Sequence, residues 1–310
     1  MKSIAISIGD LNGIGIQLAL ENHDKISQYV KPIYCIDKYM LKEASEKLGI
    51  DIPKNFAIVD DFSLKFDIRP SQISPDSGRY SFDSFIKAIE LANEQKVDAI
   101  CTLPIHKKAW ELAGVDYKGH TDALRDIYKE DAIMMLGSPK MYVALFTEHI
   151  PLRDVAGSIN EKSLTKFLID FYNGIKPIQT VAVLGLNPHA GDGGVLGDEE
   201  KIIQEAIDNA NTTIKNSNPK ANPVYSDPLV PDIAFTPHIR KQYTHYVAMY
   251  HDQGLAPLKA LYFDESINVS LNLPILRTSV DHGTAFDIAY TNAKLNNQSY
   301  INAIRYIADS

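Results

Sequence analysis

Only two cysteines, Cys35 and Cys101, occur in 310 residues, and both lie in apolar segments that read as buried strands, which argues against a disulfide framework. No apolar run reaches the length of a membrane span, and the opening MKSIAISIGD is too short in its apolar part for a secretory signal, so the expected compartment is the cytoplasm. Positive charge is also in short supply. The formal net charge is -8, which excludes nucleic acid or an anionic membrane as the main partner and requires any bound anion to be met by local cations. Neither GxGxxG nor a Walker A pattern is present, and the opening turn GDLNGIG has the wrong spacing for either. What remains, 45% hydrophobic and 23% charged residues, is the profile of a soluble globular enzyme of one large α/β domain or two ordinary ones.

Apolar strand-like runs alternate with segments of helical spacing along the whole chain. Strands are expected near residues 3–8, 31–36, 56–59, 97–102, 132–136, 141–146, 180–184, 232–235, 246–250 and 267–273. Helices are expected from Ile16, over 38–48, 81–95, 161–172 and 199–215, and from Gly119, Gly283 and Ser299. The Pro- and Ser-rich piece 69–78 and the polar tail NSNPKANP read as loops, and the segment carrying His149 and Arg153 as another.

Three segments, VALFTEH, VAVLGLNPH and YVAMYH, each carry an apolar strand followed at once or shortly by a histidine. In open α/β sheets ligands gather at the carboxyl ends of strands, which places His149, His189 and His251 where a shared site is expected. Three neutral imidazoles suit zinc or another borderline divalent ion. Taken singly, each histidine reads equally well as a capping or surface residue, and no compact HExxH motif is present; the threefold recurrence of the context favours the metal. Most basic residues are solvated surface. Lys107, Lys259 and Arg277 differ in sitting at strand ends or beside turns, and Gly283 and Thr284, after Arg277, mark a helix start whose amides favour an anion. His120 and Thr121 in GHTD read either as helix-capping residues or as ligand contacts.

The series GDLNGIG, LPIHK, GHTD, EHIPLRD, GLNPHAGDGG, MYHDQGLAPLK and INVSLNLPILRTSVDHGTAFDIA, in this order, resembles the motif series of the 4-hydroxythreonine-4-phosphate dehydrogenases of the pyridoxal phosphate pathway. The resemblance covers nearly the whole chain. It implies an isocitrate-dehydrogenase-like α/β fold with two domains and a cleft between them, 1–125 plus 275–310 forming one domain and 126–274 the other. It also implies a homodimer with the active site at the interface, a divalent metal (zinc, magnesium or cobalt) and NAD or NADP. By that resemblance His149, His189 and His251 are metal ligands, and His120, Thr121, Lys259, Asn268 and Arg277 contact substrate. Asp281, His282, Gly283, Thr284 and Asp287 match the loop by which β-decarboxylating dehydrogenases hold the adenosine end of the cofactor. The chain departs from the family pattern at Leu11, Leu103, Asp122, Asp192, Tyr290 and Asn292; none is an expected ligand, and the last two adjoin the cofactor segment.

The reaction so implied is oxidation of the C3 hydroxyl of 4-phosphooxy-L-threonine followed by decarboxylation of the 3-keto acid, with Lys107 or a water as proton carrier and Asp252 the carboxylate nearest the chemistry. Rival readings are a dehydrogenase for a related phosphorylated hydroxy acid, a three-histidine metal hydrolase, and a non-catalytic small-molecule binder.

Overall fold

A computed structural model describes residues 1–221, 224–291 and 293–310. Asn292, one of the two departures beside the cofactor segment, lies outside the described residues, as do Asn222 and Pro223 of the polar tail. The strands are β1 (Ser3–Ser7), β2 (Lys31–Cys35), β3 (Ala57–Ile58), β4 (Ala99–Thr102), β5 (Ile133–Ser138), β6 (Met141–Leu145), β7 (Val181–Leu184), β8 (Tyr225–Leu229), β9 (His245–Ala248), β10 (Ile267–Leu271) and β11 (Leu276–Val280). The chain divides into two compact units. The first holds Met1–Glu130, Ile267–Val269 and Leu273–Ser310, the second Asp131–Ser266 and Ser270–Asn272.

In the first unit the strands run β3-β2-β1-β4-β11, every neighbouring pair parallel. These strands read as unbroken apolar runs because helices cover both faces, as parallel sheets require. Phe85, Ala88 and Ile89 of the Pro75–Asn93 helix pack with Trp110, Ala123 and Leu124 over Ala5, Cys35 and Ile100. Trp110 donates from Nε1 to Ser81 Oγ at 2.8 Å, which satisfies the one polar atom of that buried ring. Both cysteines are buried free thiols.

In the second unit β5 and β6 form an antiparallel pair, and β6, β9, β7 and β8 follow side by side, all parallel. Met134, Leu136, Val143, Leu145 and Tyr246 build its core with Leu255 and Leu258 of the His251–Tyr262 helix. That helix lies close on the sheet because residue 254 is glycine: a Cβ there would stand 2.4 Å from Val143 Cγ1 and 2.9 Å from Ala248 Cβ.

Several sequence expectations are corrected. The piece 69–78 is not all loop, since a helix starts at Pro75 with Ser74 as its N-cap, Ser74 Oγ accepting from Ser77 N at 3.1 Å. The expected strand at 232–235 is instead a helical turn, Pro231–Ala234, because Pro231 fixes φ and sits at its first position. The strand lies upstream as β8, last in the strand order, where its Pro228 is tolerated. The loop of Arg153 contains the Leu152–Ser158 helix. No helix starts at Gly283: the segment is a series of turns, with Ala285 and Tyr290 at φ 44° and 58°, a left-handed conformation that a right-handed helix cannot accommodate.

Candidate active site

Within the first unit, Arg277 sits on β11 and is 3% exposed. Its guanidinium donates from Nη2 to Thr102 Oγ1 at 2.7 Å and from Nε to the same oxygen at 3.1 Å. Thr102 closes β4, so the register of the two parallel strands, Arg277 opposite Ile100 and Ser279 opposite Thr102, sets this contact. Burial lowers the Arg277 pKa only to about 10, which leaves the group a buried cation at neutral pH.

His120 opens the His120–Tyr128 helix and is 8% exposed. Its ring stands edge-on to Phe85 and Trp110, with centroids 4.7 and 5.4 Å away. Burial, and then the Arg277 charge, push its pKa well below the ordinary histidine value, so the imidazole is neutral. Its Nε2 is buried with no hydrogen-bond partner among the described residues, as is Asn268 Oδ1 on β10. Buried polar atoms of this kind are costly unless a ligand meets them. Thr121 is buried beside His120. Lys107, exposed at the start of the Lys107–Leu112 helix, passes close to the turn before His120, since a Cβ on Gly119 would lie 3.8 Å from Lys107 Cε.

The 281–290 segment is fastened to the opening turn. Ile14 N donates to Thr284 O at 3.1 Å, and Gly13 must lack a side chain because a Cβ there would stand 2.8 Å from that same carbonyl. Tyr290 OH donates to Leu11 O at 2.7 Å, Ser71 Oγ makes a short bond to Phe286 O, and the Phe286 ring stacks on His106 at 5.0 Å. Asp281 N donates to Ser299 Oγ at 3.1 Å and His282 Nδ1 lies 3.1 Å from Gly283 O. Thr284 is buried and Asp287 exposed. Within the opening turn, Asp10 is wholly buried; its carboxylate accepts from Asn12 N at 2.9 Å and Ser77 Oγ at 3.2 Å, and burial raises its pKa to about 6.

The second unit carries the three histidines beyond the ends of β6, β9 and β7, three adjacent parallel strands. Thr147 Oγ1 donates to Met249 O at 2.6 Å, tying the segment before His149 to the one before His251. The two rings lie 5.5 Å apart, centre to centre. His251 is the first residue of its helix, and Asp252 Oδ1 stands 2.6 Å from its Nδ1, which leaves Nε2 as the nitrogen not engaged by that carboxylate. Asp252 itself is 84% exposed. Lys259 follows two turns along the same helix, about 12 Å from His251 by helical rise, with Nζ 5.5 Å from the Phe263 ring.

His189 stands in a run of five residues, His189 to Gly193, all left-handed. Such backbone costs about 1 kcal/mol or more per non-glycine residue and must be held by its surroundings. Glu200 fixes the segment just before the run: Oε1 accepts from Leu186 N at 2.9 Å and Asn187 N at 2.7 Å, Oε2 accepts from Asn187 Nδ2 at 2.9 Å, and Asn187 O in turn accepts from Ala190 N at 3.0 Å. Among the described residues no three His, Cys, Asp or Glu side chains are gathered closely enough to hold a metal ion. His149 and His251 are brought together. The imidazoles of His149 and His251, the latter held by a carboxylate, are donors of the kind a borderline divalent ion takes, but the three-histidine set is not assembled among the described residues.

Sequence reading did not single out Thr102, Glu200 or Gln253. Gln253 is buried; its Oε1 accepts from Met249 N at 2.7 Å and its Nε2 donates to Gly185 O at 2.7 Å, so it joins the segment before His251 to the end of β7. The signals available were its place two residues after His251 and its membership of the MYHDQGLAPLK segment.

The family model described as pyridoxal phosphate biosynthetic protein PdxA matches residues 28–307. A 4-hydroxythreonine-4-phosphate dehydrogenase of Sulfurimonas denitrificans is 60% identical over 302 residues, 97% of this chain and 95% of that one. Its counterpart in Campylobacter fetus is 50% identical over 307 residues, 99% and 97% of the two chains. The crystal structure of 4-hydroxythreonine-4-phosphate dehydrogenase from Klebsiella pneumoniae matches with a TM-score of 0.81 at 30% identity, over 99% of this chain and 100% of that one. Sequence and architecture agree along the full length, and the chain belongs to the PdxA family of pyridoxal phosphate biosynthetic proteins.

Proposed function

We propose that this protein oxidises the C3 hydroxyl of 4-phosphooxy-L-threonine, the 2-amino-3-oxo-4-phosphooxybutanoate so formed losing carbon dioxide to give 3-amino-2-oxopropyl phosphate. The observation that carries the reading is the buried, charged fork of Arg277 beside a neutral His120, which together suit a phosphate or carboxylate that also needs a neutral hydrogen-bond partner. The names of the two relatives given above, both 4-hydroxythreonine-4-phosphate dehydrogenases, support the same substrate.

In this reading Arg277 and Lys259 neutralise the substrate's anionic groups, and Asn268 Oδ1 accepts a hydrogen bond from its amino or hydroxyl group. His120 Nε2 and Thr121 hold its orientation. Lys107 carries the hydroxyl proton away. Asp252 orients His251 and is too exposed to act as the buried base. His149, His189 and His251 would hold a divalent ion, which when bound supplies positive charge for the developing alkoxide and later enolate. A nicotinamide dinucleotide, NAD or NADP, would lie with its adenosine end at Asp281, His282, Gly283, Thr284 and Asp287 and take the hydride. The working form in this reading is a homodimer.

The test is incubation of the protein with a divalent ion, NAD and 4-phosphooxy-L-threonine. Reduced dinucleotide and carbon dioxide are expected in equal amounts. Phosphate release without reduction would replace the reading with a metal hydrolase, and tight binding without turnover would replace it with a binding protein. Sedimentation as a monomer at working concentration would overturn the dimer.

A further inference from the structure

The 284–290 turn carries two left-handed non-glycine residues, Ala285 and Tyr290. A tyrosine with φ of 58° is a rare and costly conformer that persists only where the surroundings fix it. Here they do. The conformation brings the Tyr290 hydroxyl onto Leu11 O at 2.7 Å, across 279 residues of sequence, and Leu11 belongs to the turn between β1 and the first helix. The remaining ties of the turn run to nearby anchors: Thr284 O accepts from Ile14 N, Phe286 O accepts from Ser71 Oγ, and the Phe286 ring lies on His106. The Asn12 side chain holds the 69–72 loop from the other side, Oδ1 accepting from Arg69 N at 2.9 Å and Nδ2 donating to Gln72 O at 2.8 Å. Tyr290 is the last fastening before the chain leaves the turn. Other hydrogen bonds at the carboxyl end of the turn are short-range, from Ile288 N to Ala285 O and from Thr291 N and Oγ1 to Ile288 O.

We propose that Tyr290 is a positioning residue for the dinucleotide: its hydroxyl clamps the 284–290 turn onto the 9–15 turn in the shape that receives the adenosine end of the cofactor. The inference rests on the cofactor reading given above. Fixing the turn beforehand removes an ordering cost that would otherwise be met at the moment of binding. Tyr290 acts on cofactor affinity alone, since neither of its anchors carries a residue assigned to substrate or metal.

The experiment uses the full-length protein with Tyr290→Phe and Tyr290→Gly, and NAD and NADP themselves as probes. Dissociation constants are measured by calorimetry, KM is measured separately for dinucleotide and for substrate, and amide hydrogen exchange is followed across 284–291. Loss of one buried hydrogen bond predicts a roughly three- to tenfold weaker dinucleotide affinity in Tyr290→Phe, faster exchange in the turn, and substrate KM and kcat within twofold or so of wild type. Tyr290→Gly, which relieves the left-handed strain yet also lacks the clamp, is expected to weaken binding at least as much. Wild-type dinucleotide affinity in both variants overturns the inference, and so does an equal loss for dinucleotide and substrate. A wild-type protein that binds neither dinucleotide overturns the cofactor reading and this inference with it, whereas wild-type binding that neither substitution changes overturns the inference alone.

Discussion

The Arg277 guanidinium and the Thr102 hydroxyl are 175 residues apart in sequence and 2.7 Å apart in space. Two N–H groups of one face of the fork converge on a single oxygen, which fixes the plane of the guanidinium before any anion arrives. A lysine in the same place has no such plane to fix. Arg277→Lys is therefore expected to raise the substrate KM by roughly tenfold or more, and Thr102→Val by roughly three- to tenfold. Steady-state kinetics with each substrate varied in turn decides the matter: an equal rise in the dinucleotide KM would remove Arg277 from the substrate site.

A second expectation concerns Asp252 and His251. The carboxylate is largely exposed, so the pair contributes little to folding, yet it engages Nδ1 of the imidazole and not Nε2. Asp252→Asn should lower affinity for zinc or cobalt by roughly 10- to 100-fold with no change in the denaturation midpoint. Equilibrium dialysis against the ion, alongside a urea melt, separates the two effects. Unaltered metal affinity would mean that His251 is not oriented for a ligand.

Gln253 makes the opposite prediction. Replacement by leucine leaves Met249 N and Gly185 O buried without their partner, which costs about 1–3 kcal/mol for each group. Gln253→Leu should thus lower the stability of the whole protein by roughly 2–4 kcal/mol, allowing for partial relaxation. Denaturant unfolding followed by circular dichroism measures it, and a loss below about 1 kcal/mol would show that the bridge is not structural.

The buried Asp10 predicts a pH dependence. Its pKa in the fold is raised to about 6 from an ordinary value of 3.8, because burial penalises the charged form more than the bonds from Asn12 and Ser77 favour it. A raised folded-state value means that the protonated carboxyl stabilises the fold. That contribution is complete below about pH 4 and is lost as pH rises through about 6. Asp10→Asn carries no such titration. Wild type should lose stability relative to the variant over this interval, by on the order of 3 kcal/mol, and the difference should then level off. Paired urea melts at about pH 4, 5, 6 and 7 check it; a difference that is flat with pH would mean that Asp10 is not buried as described.

Much of the site could be read from local sequence. The VALFTEH, VAVLGLNPH and YVAMYH segments placed three histidines after strands, and β6, β7 and β9 do end before them as neighbours. Strand identity follows from composition over a few residues, so such placements are legible. Helix starts at Gly283 and a strand at 232–235 were misread because the deciding facts are backbone angles at single residues, φ 58° at Tyr290 and the proline ring at residue 231. Nothing in the composition of 283–290 separates a turn from the first turn of a helix, whereas Pro231 is visible in the sequence and is a residue that suits the first position of a helical turn.

By itself, then, the sequence determined the α/β alternation, the family, the histidines after strand ends and the cationic character of Lys107, Lys259 and Arg277. Tertiary structure alone decided that Thr102 holds Arg277, that burial keeps His120 neutral, that Glu200 fixes Leu186 and Asn187 ahead of the His189 turn, that Gln253 joins Met249 to Gly185, and that Tyr290 meets Leu11. The reason is distance along the chain. Propensity and periodicity act over a few residues, whereas strand register and side-chain direction bring together groups up to 279 positions apart, and no local preference encodes which of them will meet.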